Sequence, residues 1–252
     1  MKFDGDVVAI SGGGTGIGFA AARRFAELGA AVAILDIDPE VGTDAANALR
    51  EEFPRSRFES PQADVGDTDQ VDSAFKDIAE NLGPVSVLYC NAGGTSPHDG
   101  RLADVDDDVL WSTLRRDLGG VWNCCRAALP GMVEAGKGAI VNASSMTALI
   151  GRDGADSYTA AKGAVASLTR SLAVEYAGDG IRVNAVAPGA TLSPRVRARL
   201  EAGRFPQSLL DRHLHGLLEP IDIANVVVFL ASDAARGLTG QVLAVDSGVS
   251  IS

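Results

Sequence analysis

Short apolar runs alternate with longer amphipathic stretches along the whole chain. Six runs rich in β-branched residues predict buried strands, and a weaker strand is expected near residues 57–62. The six runs are Val7–Ile10, Ala31–Leu35, Val85–Tyr89, Ala139–Asn142, Ile181–Ala187 and Val242–Val245. Helical patterns occupy residues 17–28, 40–53, 68–82, 104–135, 157–177 and 222–231. Strands that are apolar on both faces and alternate with helices predict an α/β fold, with a parallel sheet covered by helices on each side.

The alternation continues without an internal repeat or a long polar linker, so residues 1–252 are expected to form one domain. Residues 191–218 interrupt it and contain Pro194 and Pro206, five arginines and two histidines. A long excursion between the last two strands of such a sheet is a candidate lid over a binding site. We therefore expect a single domain with a substrate lid at 191–218.

The arginines of this lid allow two interpretations. They outnumber the acidic residues of the segment, although the chain as a whole carries a formal net charge of −11. One interpretation is a solvated helix face, and the other is that an arginine binds an anionic substrate such as a carboxylate. The arginines considered for the second interpretation are Arg195, Arg199 and Arg204.

The charge and the cysteines limit the partners and the compartment. With 22 basic against 33 acidic side chains, the protein repels phosphate backbones and anionic lipid head groups, so neither nucleic acid nor a membrane is an expected partner. The N-terminus has no secretory pattern, and no stretch approaches the ~18 apolar residues of a membrane helix. Cys90, Cys124 and Cys125 lack metal-ligand spacing and fit a reducing compartment. We expect a soluble cytoplasmic protein without a metal site.

The first predicted strand leads into a glycine-rich turn and then directly into a helix. The turn reads Ser11, Gly12, Gly13, Gly14, Thr15, Gly16, Ile17, Gly18. Glycines let the backbone approach a pyrophosphate closely, and the helix N-terminus offers it free N–H groups and a partial positive charge. The GxxxGxG spacing differs from GxGxxG, and no Gly-Lys-Ser/Thr follows, which excludes a mononucleotide P-loop. The context predicts dinucleotide binding rather than a tight corner alone.

Asp36 ends the second predicted strand, 20 residues after Gly16. An acidic side chain at this position accepts hydrogen bonds from the adenosine ribose. A 2′-phosphate would be placed against the carboxylate, and neither the turn nor Ile37 supplies a compensating base. Arg23 and Arg24 lie a turn or more into the helix. The expected cofactor is therefore NAD(H) rather than NADP(H).

Tyr158 and Lys162 form an i,i+4 pair on one face of a predicted helix. An ammonium ~5 Å from a tyrosine favours the phenolate by roughly 3 kcal/mol at an effective dielectric of ~20, which prepares the tyrosine for acid–base work. A surface Tyr–Lys pair is the alternative. Ser144 and Ser145 follow a strand at the carboxyl edge of the sheet, where open α/β sheets bind ligands. A serine hydroxyl there can hold a substrate oxygen beside Tyr158.

These pieces together resemble the short-chain dehydrogenase/reductase family, in its branch of roughly 250-residue subunits, over nearly the whole length. The matching segments are 11–18, 64–65, 91–93, 140–145, 158–162, 181–184, 188–189, 239–240 and 245–246. The resemblance implies a doubly wound Rossmann fold with seven parallel strands in the order 3-2-1-4-5-6-7. It also implies a homotetramer, or at least a dimer. The long helical segments 104–135 and 157–177 support this, because they carry more apolar surface than one sheet face covers.

The resemblance implies roles for single residues. Tyr158 is the acid–base, Lys162 binds the nicotinamide ribose, and Ser145 rather than Ser144 is the catalytic serine, 13 residues before the tyrosine. Further cofactor contacts are implied for Asp64 and Val65 at the adenine, and for Asn91, Ala92, Gly93, Pro188, Gly189 and Ser193. Expected substrate contacts are Ser145, Thr147, Arg152 and Tyr158.

The substantive departure from the family is Asp117, which stands where the family usually has a catalytic Asn that links the lysine to a water relay. The expected function is interconversion of a secondary alcohol and a ketone by an NAD(H)-dependent oxidoreductase. The substitution keeps an alternative open, a catalytically silent NAD-binding sensor or scaffold. Two placements of Asp117 are possible: ionised beside Lys162, or pointing to solvent.

Overall fold

Seven parallel strands form one sheet in a computed structural model that describes residues 1–205 and 207–252. The strands are β1 Val7–Ser11, β2 Ala31–Leu35, β3 Phe58–Glu59, β4 Val87–Cys90, β5 Gly138–Ala143, β6 Ile181–Pro188 and β7 Val242–Val245. Their spatial order is β3-β2-β1-β4-β5-β6-β7. The predicted topology is therefore confirmed. The chain order reverses between β1 and β4, which is where sheets of this kind bind nucleotides.

Nine α-helices accompany the sheet in the described part of the chain. They are α1 Gly16–Glu27, α2 Pro39–Glu52, α3 Thr68–Asn81, α4 Asp107–Leu114, α5 Gly120–Ala135, α6 Asp156–Glu175, α7 Pro194–Glu201, α8 Gln207–Asp211 and α9 Pro220–Ala231. Helices α1, α2 and α9 pack on one face of the sheet, and α3, α5 and α6 pack on the other. Over the described residues, none of these helices has the length and apolar character needed to cross a bilayer.

Strand β1, which pairs with β2 and β4, shows why the strands appear in the sequence as continuous apolar runs. Val8 and Ile10 point into the core on the α1 side, whereas Val7 and Ala9 point into the core on the α3 side. Successive side chains of a strand point to opposite faces, so a strand covered on both sides is apolar along most of its length. All five residues of β1 are buried.

The segment predicted as one helix over 104–135 is divided in the structure. Helix α4 starts only at Asp107, and a π-helical turn at Arg115–Gly119 separates it from α5. Such turns insert an extra residue and often mark functional sites. Asp117 lies at the centre of this turn with its side chain completely buried. The helical periodicity of the sequence did not reveal the interruption.

The predicted lid segment contains helices α7 and α8, which the hydrophobic pattern did not predict. Two local signals mark the start of α7. The Ser193 hydroxyl accepts a hydrogen bond from Val196 N, and Pro194 occupies the first helical turn. The ends of the segment are joined by a parallel bridge between Thr191 and Leu218. Pro206, the second proline noted in this segment, lies outside the described residues.

The cysteines belong to the core beneath β4. Cys124 and Cys125 are buried on α5 against Cys90, and all three are free thiols. Thiol hydrogen bonds from Cys124 and Cys125, together with burial, raise the pKa of Cys90 well above its usual value. These residues therefore behave as small apolar core side chains with unreactive thiols.

Candidate active site

A cleft of about 370 Å³ opens at the carboxyl ends of the strands. It extends from the glycine turn to the lid helix α7. It brings together most of the residues predicted from the sequence: Gly12, Thr15, Gly16, Ile17, Asp36, Asn91, Ala92, Gly93, Ser145, Arg152, Tyr158, Lys162, Pro188, Gly189 and Ser193. The position at the topological switch point is the one expected for a nucleotide site.

Several predicted residues do not line the cleft. The Asp64 carboxylate pairs with Arg115 at 3.0 Å, and Val65 packs beneath Gly120. Thr147 is buried next to Ser145 and does not line the cleft. Contacts with cleft residues are made by the remaining members of this group, Ser11, Gly14, Gly18 and Asp117.

The glycines of the turn are required by close backbone approach. A Cβ at Gly18 would collide with the carbonyl oxygen of Gly12, and a Cβ at Gly12 would lie 2.9 Å from Ala92 Cα. Gly12 and Gly16 also have positive φ angles of 61° and 55°. Such values favour glycine over residues with a Cβ. The sequence therefore folds this turn tightly against the loop after β4.

The N-terminus of α1 remains available for a ligand. The side chain of its N-cap residue, Thr15, makes no capping hydrogen bond, and the first turn contains no acidic residue. Unpaired N–H groups at a helix N-terminus, combined with the helix dipole, favour phosphate. The turn, the open amides and the cleft in front of them fit the pyrophosphate of a dinucleotide cofactor.

Ser11 holds the glycine turn against the loop that follows β4. Its Oγ accepts hydrogen bonds from Asn91 N at 3.1 Å and Ala92 N at 3.2 Å. In return, the Asn91 side-chain amide donates to Gly12 O at 2.9 Å. The Ser11 hydroxyl therefore provides the acceptor that these two backbone N–H groups need.

Asp36 stands at the end of β2 on the far wall of the cleft. Its Oδ2 accepts a hydrogen bond from Gly14 N at 3.1 Å, which fixes the carboxylate beside the turn. The two arginines nearest in sequence are already paired, Arg23 with Glu52 and Arg24 with a glutamate of its own helix. The negative charge of Asp36 thus has no arginine counter-charge from α1.

Tyr158 and Lys162 share one face of α6 and both line the cleft. The Lys162 ammonium lies 5.6 Å from the centre of the Tyr158 ring and donates a hydrogen bond to Ala143 O at 2.9 Å. Ser144 donates to the Lys162 backbone carbonyl at 3.0 Å, which fixes β5 against α6. The neighbouring Ser145 accepts from Thr147 N at 3.2 Å, so its own hydroxyl proton can be donated into the cleft.

Asp99 is a positioning residue that sequence reasoning missed. Its carboxylate accepts hydrogen bonds from the backbone N–H groups of Ser157 at 3.2 Å and Tyr158 at 2.9 Å. It therefore caps the start of α6 from a separate loop and fixes the turn that carries the tyrosine. The partners are 58 and 59 residues apart, and no local pattern in the sequence connects them.

Asp117 lies beside the lysine, which excludes the solvent-facing placement. Its Oδ1 is 3.2 Å from Lys162 Nζ and accepts a hydrogen bond from Gly94 N at 2.9 Å. Its Oδ2 accepts from Arg116 Nε at 2.8 Å. The carboxylate is therefore buried with a lysine on one side and an arginine on the other, so its charge is paired on both sides.

A family model described as enoyl-(acyl carrier protein) reductase matches residues 12–250, and this model belongs to the short-chain dehydrogenases/reductases. The chain belongs to the short-chain dehydrogenase/reductase family. Its relatives include the cis-4-hydroxycyclohexanecarboxylate dehydrogenase of Sinomonas cyclohexanicum, 42% identical over 96% of this chain and 95% of that protein. The meso-2,3-butanediol dehydrogenase of Serratia marcescens is 38% identical over 100% of this chain and 97% of that protein.

The fold is shared with solved structures of the same family. Levodione reductase superposes with a TM-score of 0.93 at 32% sequence identity, covering 99% of each chain. The predicted family is thereby confirmed. This short-chain dehydrogenase/reductase is an oxidoreductase, and dehydrogenases of the family use nicotinamide cofactors.

Among the residues that the structure describes, three arginines line the cleft, and two of them come from the predicted lid group. Arg195 and Arg199 project from α7, and Arg152 projects from the loop before α6. Arg204 is exposed and lies away from the cleft wall. Burial lowers the pKa of Arg152 from its ordinary value, with Tyr158 raising it and the charge of Arg199 lowering it further. Arg152 therefore lies within electrostatic range of both the tyrosine and α7.

Proposed function

We propose that the protein is an NAD(H)-dependent dehydrogenase that interconverts a secondary alcohol and a ketone. The observation that carries this proposal is the meeting of Ser145, Tyr158 and Lys162 in one cleft with the glycine turn. Relatives named for secondary alcohols, a hydroxycyclohexanecarboxylate, a butanediol and a hydroxysteroid, support the reaction type. Residues 191–218 act as the lid over the substrate end of the cleft.

Ser145, Tyr158 and Lys162 each have a separate role in alcohol oxidation. Ser145 donates a hydrogen bond to the substrate oxygen and holds it next to Tyr158. Tyr158 removes the hydroxyl proton while the carbinol C–H bond breaks and the C=O bond forms. Lys162 stabilises the phenolate form of Tyr158 and binds the cofactor ribose. When bound, the nicotinamide cofactor accepts the hydride in oxidation and supplies it in reduction. In ketone reduction Tyr158 returns its proton to the carbonyl oxygen.

The experiment that tests this proposal is a substrate panel followed by absorbance of NADH. With NAD⁺, the panel should include cis-4-hydroxycyclohexanecarboxylate, meso-2,3-butanediol and a 3α-hydroxysteroid, because relatives are named for these compounds. Turnover of at least one secondary alcohol is expected. NAD⁺ binding without turnover of any panel member, in either direction, would instead support the silent sensor that Asp117 suggests.

The cofactor preference follows from Asp36. We expect NAD⁺ to exceed NADP⁺ by at least about tenfold in kcat/KM, because a 2′-phosphate would be placed against this carboxylate. Asp36→Ala should reduce the preference for NAD⁺, because it removes the repulsion between the carboxylate and the 2′-phosphate. Asp38→Ala, on the exposed start of α2, should leave the ratio of kcat/KM for the two cofactors unchanged. Steady-state kinetics with both cofactors provide the measurement. Equal or reversed preference in the wild-type enzyme would contradict the proposal.

We propose a homotetramer, or at least a dimer, assembled on the α5–α6 face. Trp122 is 56% exposed and Val174 is 82% exposed, and a groove lined by Trp122, Leu129 and Leu172 lies between the two helices. Exposed apolar surface of this kind marks interfaces between chains. Light scattering should give at least twice the 25.9 kDa chain mass, and Trp122→Asp should reduce the assembly. A stable wild-type monomer at micromolar concentration would refute the assignment.

The partner is a small alcohol or ketone, and the net charge of −11 argues against nucleic acid or an anionic membrane surface. The buried free thiols support a reducing compartment, for which we propose the cytoplasm.

A further inference from the structure

Helix α7 presents its arginines to two different environments. Arg195 and Arg199 are four residues apart and line the cleft, so they share one face of the helix. Arg197 points to the opposite side and forms a salt bridge with Glu219 at 2.7 Å. The helix thus separates one structural arginine from two that face the cleft.

The cleft arginines lack carboxylate partners. Within the described residues, neither Arg152 nor Arg195 nor Arg199 forms a salt bridge. The Asp99 carboxylate acts on Arg152 electrostatically, but its oxygens accept hydrogen bonds from backbone N–H groups at the start of α6. Like charges four residues apart on one face destabilise a helix. An anion in the cleft would offset this repulsion.

The acidic residue of the cleft wall lies at the opposite end of the cleft from Arg152 and Arg199. Among the described lining residues, Asp36 is the only carboxylate, and it lies beside the glycine turn. The cleft therefore has a negative cofactor end and a positive substrate end around Tyr158. Such an arrangement orients an anionic ligand before it reacts.

The positive end also has apolar walls. Met146 from the turn after β5 and Val196, Phe205 and Leu209 from the lid line the same cleft. The Arg199 guanidinium lies 5.9 Å from the centre of the Phe205 ring, a cation–π distance that holds the side chain in place. A hydrocarbon frame fits these walls better than a polyol does, because a polyol would leave its hydroxyl groups without partners.

We propose that Arg152 and Arg199 bind a carboxylate carried by the substrate, so that the enzyme acts on hydroxy acids or keto acids with a hydrocarbon frame. The inference rests on the proposed dehydrogenase function, and it adds the substrate class. The carboxylate lies between the loop before α6 and the lid, and the carbinol carbon faces Tyr158 and Ser145. Arg195 lies against Gly94, next to the cofactor loop, and adds positive charge between the two ends.

Binding of an unreactive acid tests the inference independently of turnover. Isothermal titration calorimetry in saturating NAD⁺ would compare cyclohexanecarboxylate and pentanoate with their carboxamides. The wild-type enzyme should bind an acid at least about tenfold more tightly than its amide, since a charge-assisted contact is lost in the amide. Arg152→Gln and Arg199→Gln should each remove most of this preference, and Arg199→Lys should retain part of it.

Matched controls come from the same segment. Arg197→Gln and Arg204→Gln remove arginines that lie off the cleft wall and should leave acid binding unchanged. Equal affinity for acid and amide in the wild type, or no measurable binding of either acid, would overturn the inference.

Kinetics distinguish a substrate site from a cofactor site. KM is measured for the hydroxy acid that the enzyme turns over best and, at a saturating concentration of that acid, for NAD⁺. Arg152→Gln and Arg199→Gln should each raise KM for the hydroxy acid at least about tenfold and leave KM for NAD⁺ unchanged. A rise confined to KM for NAD⁺ would place these arginines on the cofactor phosphates and overturn the inference. If the enzyme turns over neutral alcohols, and neither variant changes the kinetics of any substrate, the dehydrogenase function stands. The proposal that the substrate carries a carboxylate would then be wrong.

Discussion

Replacing Tyr158 with Phe is expected to lower kcat for alcohol oxidation by about 10²–10⁴-fold, the usual contribution of a positioned general acid–base. The phenol oxygen is the group placed to take the hydroxyl proton, and its removal leaves the substrate without a base. The ring itself remains, so the Lys162 side chain keeps its neighbour at 5.6 Å from the ring centre. Binding of NADH, followed by its fluorescence, should change little.

The control for this variant is Tyr176→Phe at the end of the same helix. Tyr176 lies outside the cleft, so its hydroxyl takes no part in the proposed chemistry. Thermal unfolding of both variants should resemble that of the wild type. A Tyr158→Phe enzyme that retained more than a tenth of the wild-type kcat would contradict the role of Tyr158 as the acid–base.

The local parts of this site could be predicted from sequence because their causes are local. Gly12 and Gly18 are demanded by contacts inside one strand–turn–helix unit, and the i,i+4 spacing alone places Tyr158 and Lys162 on one helix face. The strand pattern likewise predicted the sheet, since strands buried on both faces are mostly apolar. The observed strand ends differ from the predicted ones by a residue or two. For example, β4 was expected to begin at Val85 and begins at Val87.

The parts that could not be predicted depend on contacts between distant segments. Asp99 caps α6 from a loop almost sixty residues earlier, and nothing in its neighbourhood marks that role. The helical periodicity of the sequence does not reveal the π-helical turn at Arg115–Gly119, because such a turn adds only one residue to the pattern. Arg204 and Arg199 look equivalent in sequence, and only the direction of α7 brings Arg199 to the cleft.

Asp117 shows how such a contact changes the chemistry that the family resemblance implies. An Asn at this position can accept and donate hydrogen bonds without adding charge, whereas an ionised Asp adds a negative charge at 3.2 Å from Lys162 Nζ. The carboxylate stabilises the buried ammonium but opposes its effect on the Tyr158 phenolate. Arg116, on the other side, shares this negative charge and lessens the opposition. We therefore expect an active enzyme in which Asp117 weakens the stabilisation of the Tyr158 phenolate by Lys162.

Asp117→Asn should keep or raise activity and move the pH–rate profile of alcohol oxidation to lower pH. The amide oxygen can still accept the hydrogen bond from Gly94 N. The negative charge that opposes the effect of the Lys162 ammonium on Tyr158 is lost, so the ammonium favours the Tyr158 phenolate more strongly. The measurement is kcat/KM for the best alcohol over a pH series. Asp108→Asn, an exposed carboxylate on α4, is the matched control and should leave the profile in place.

Asp117→Leu should lose at least about tenfold in kcat/KM across the whole pH range. Leucine removes both acceptor oxygens, so the buried Lys162 ammonium and the Gly94 N–H lose partners that water cannot replace at a fully buried position. The lysine is then free to move away from Tyr158, and the loss should appear in kcat more than in KM for the alcohol. If the wild type proves inactive and Asp117→Asn restores turnover, the carboxylate silences the site, and the protein is the NAD-binding sensor rather than the dehydrogenase.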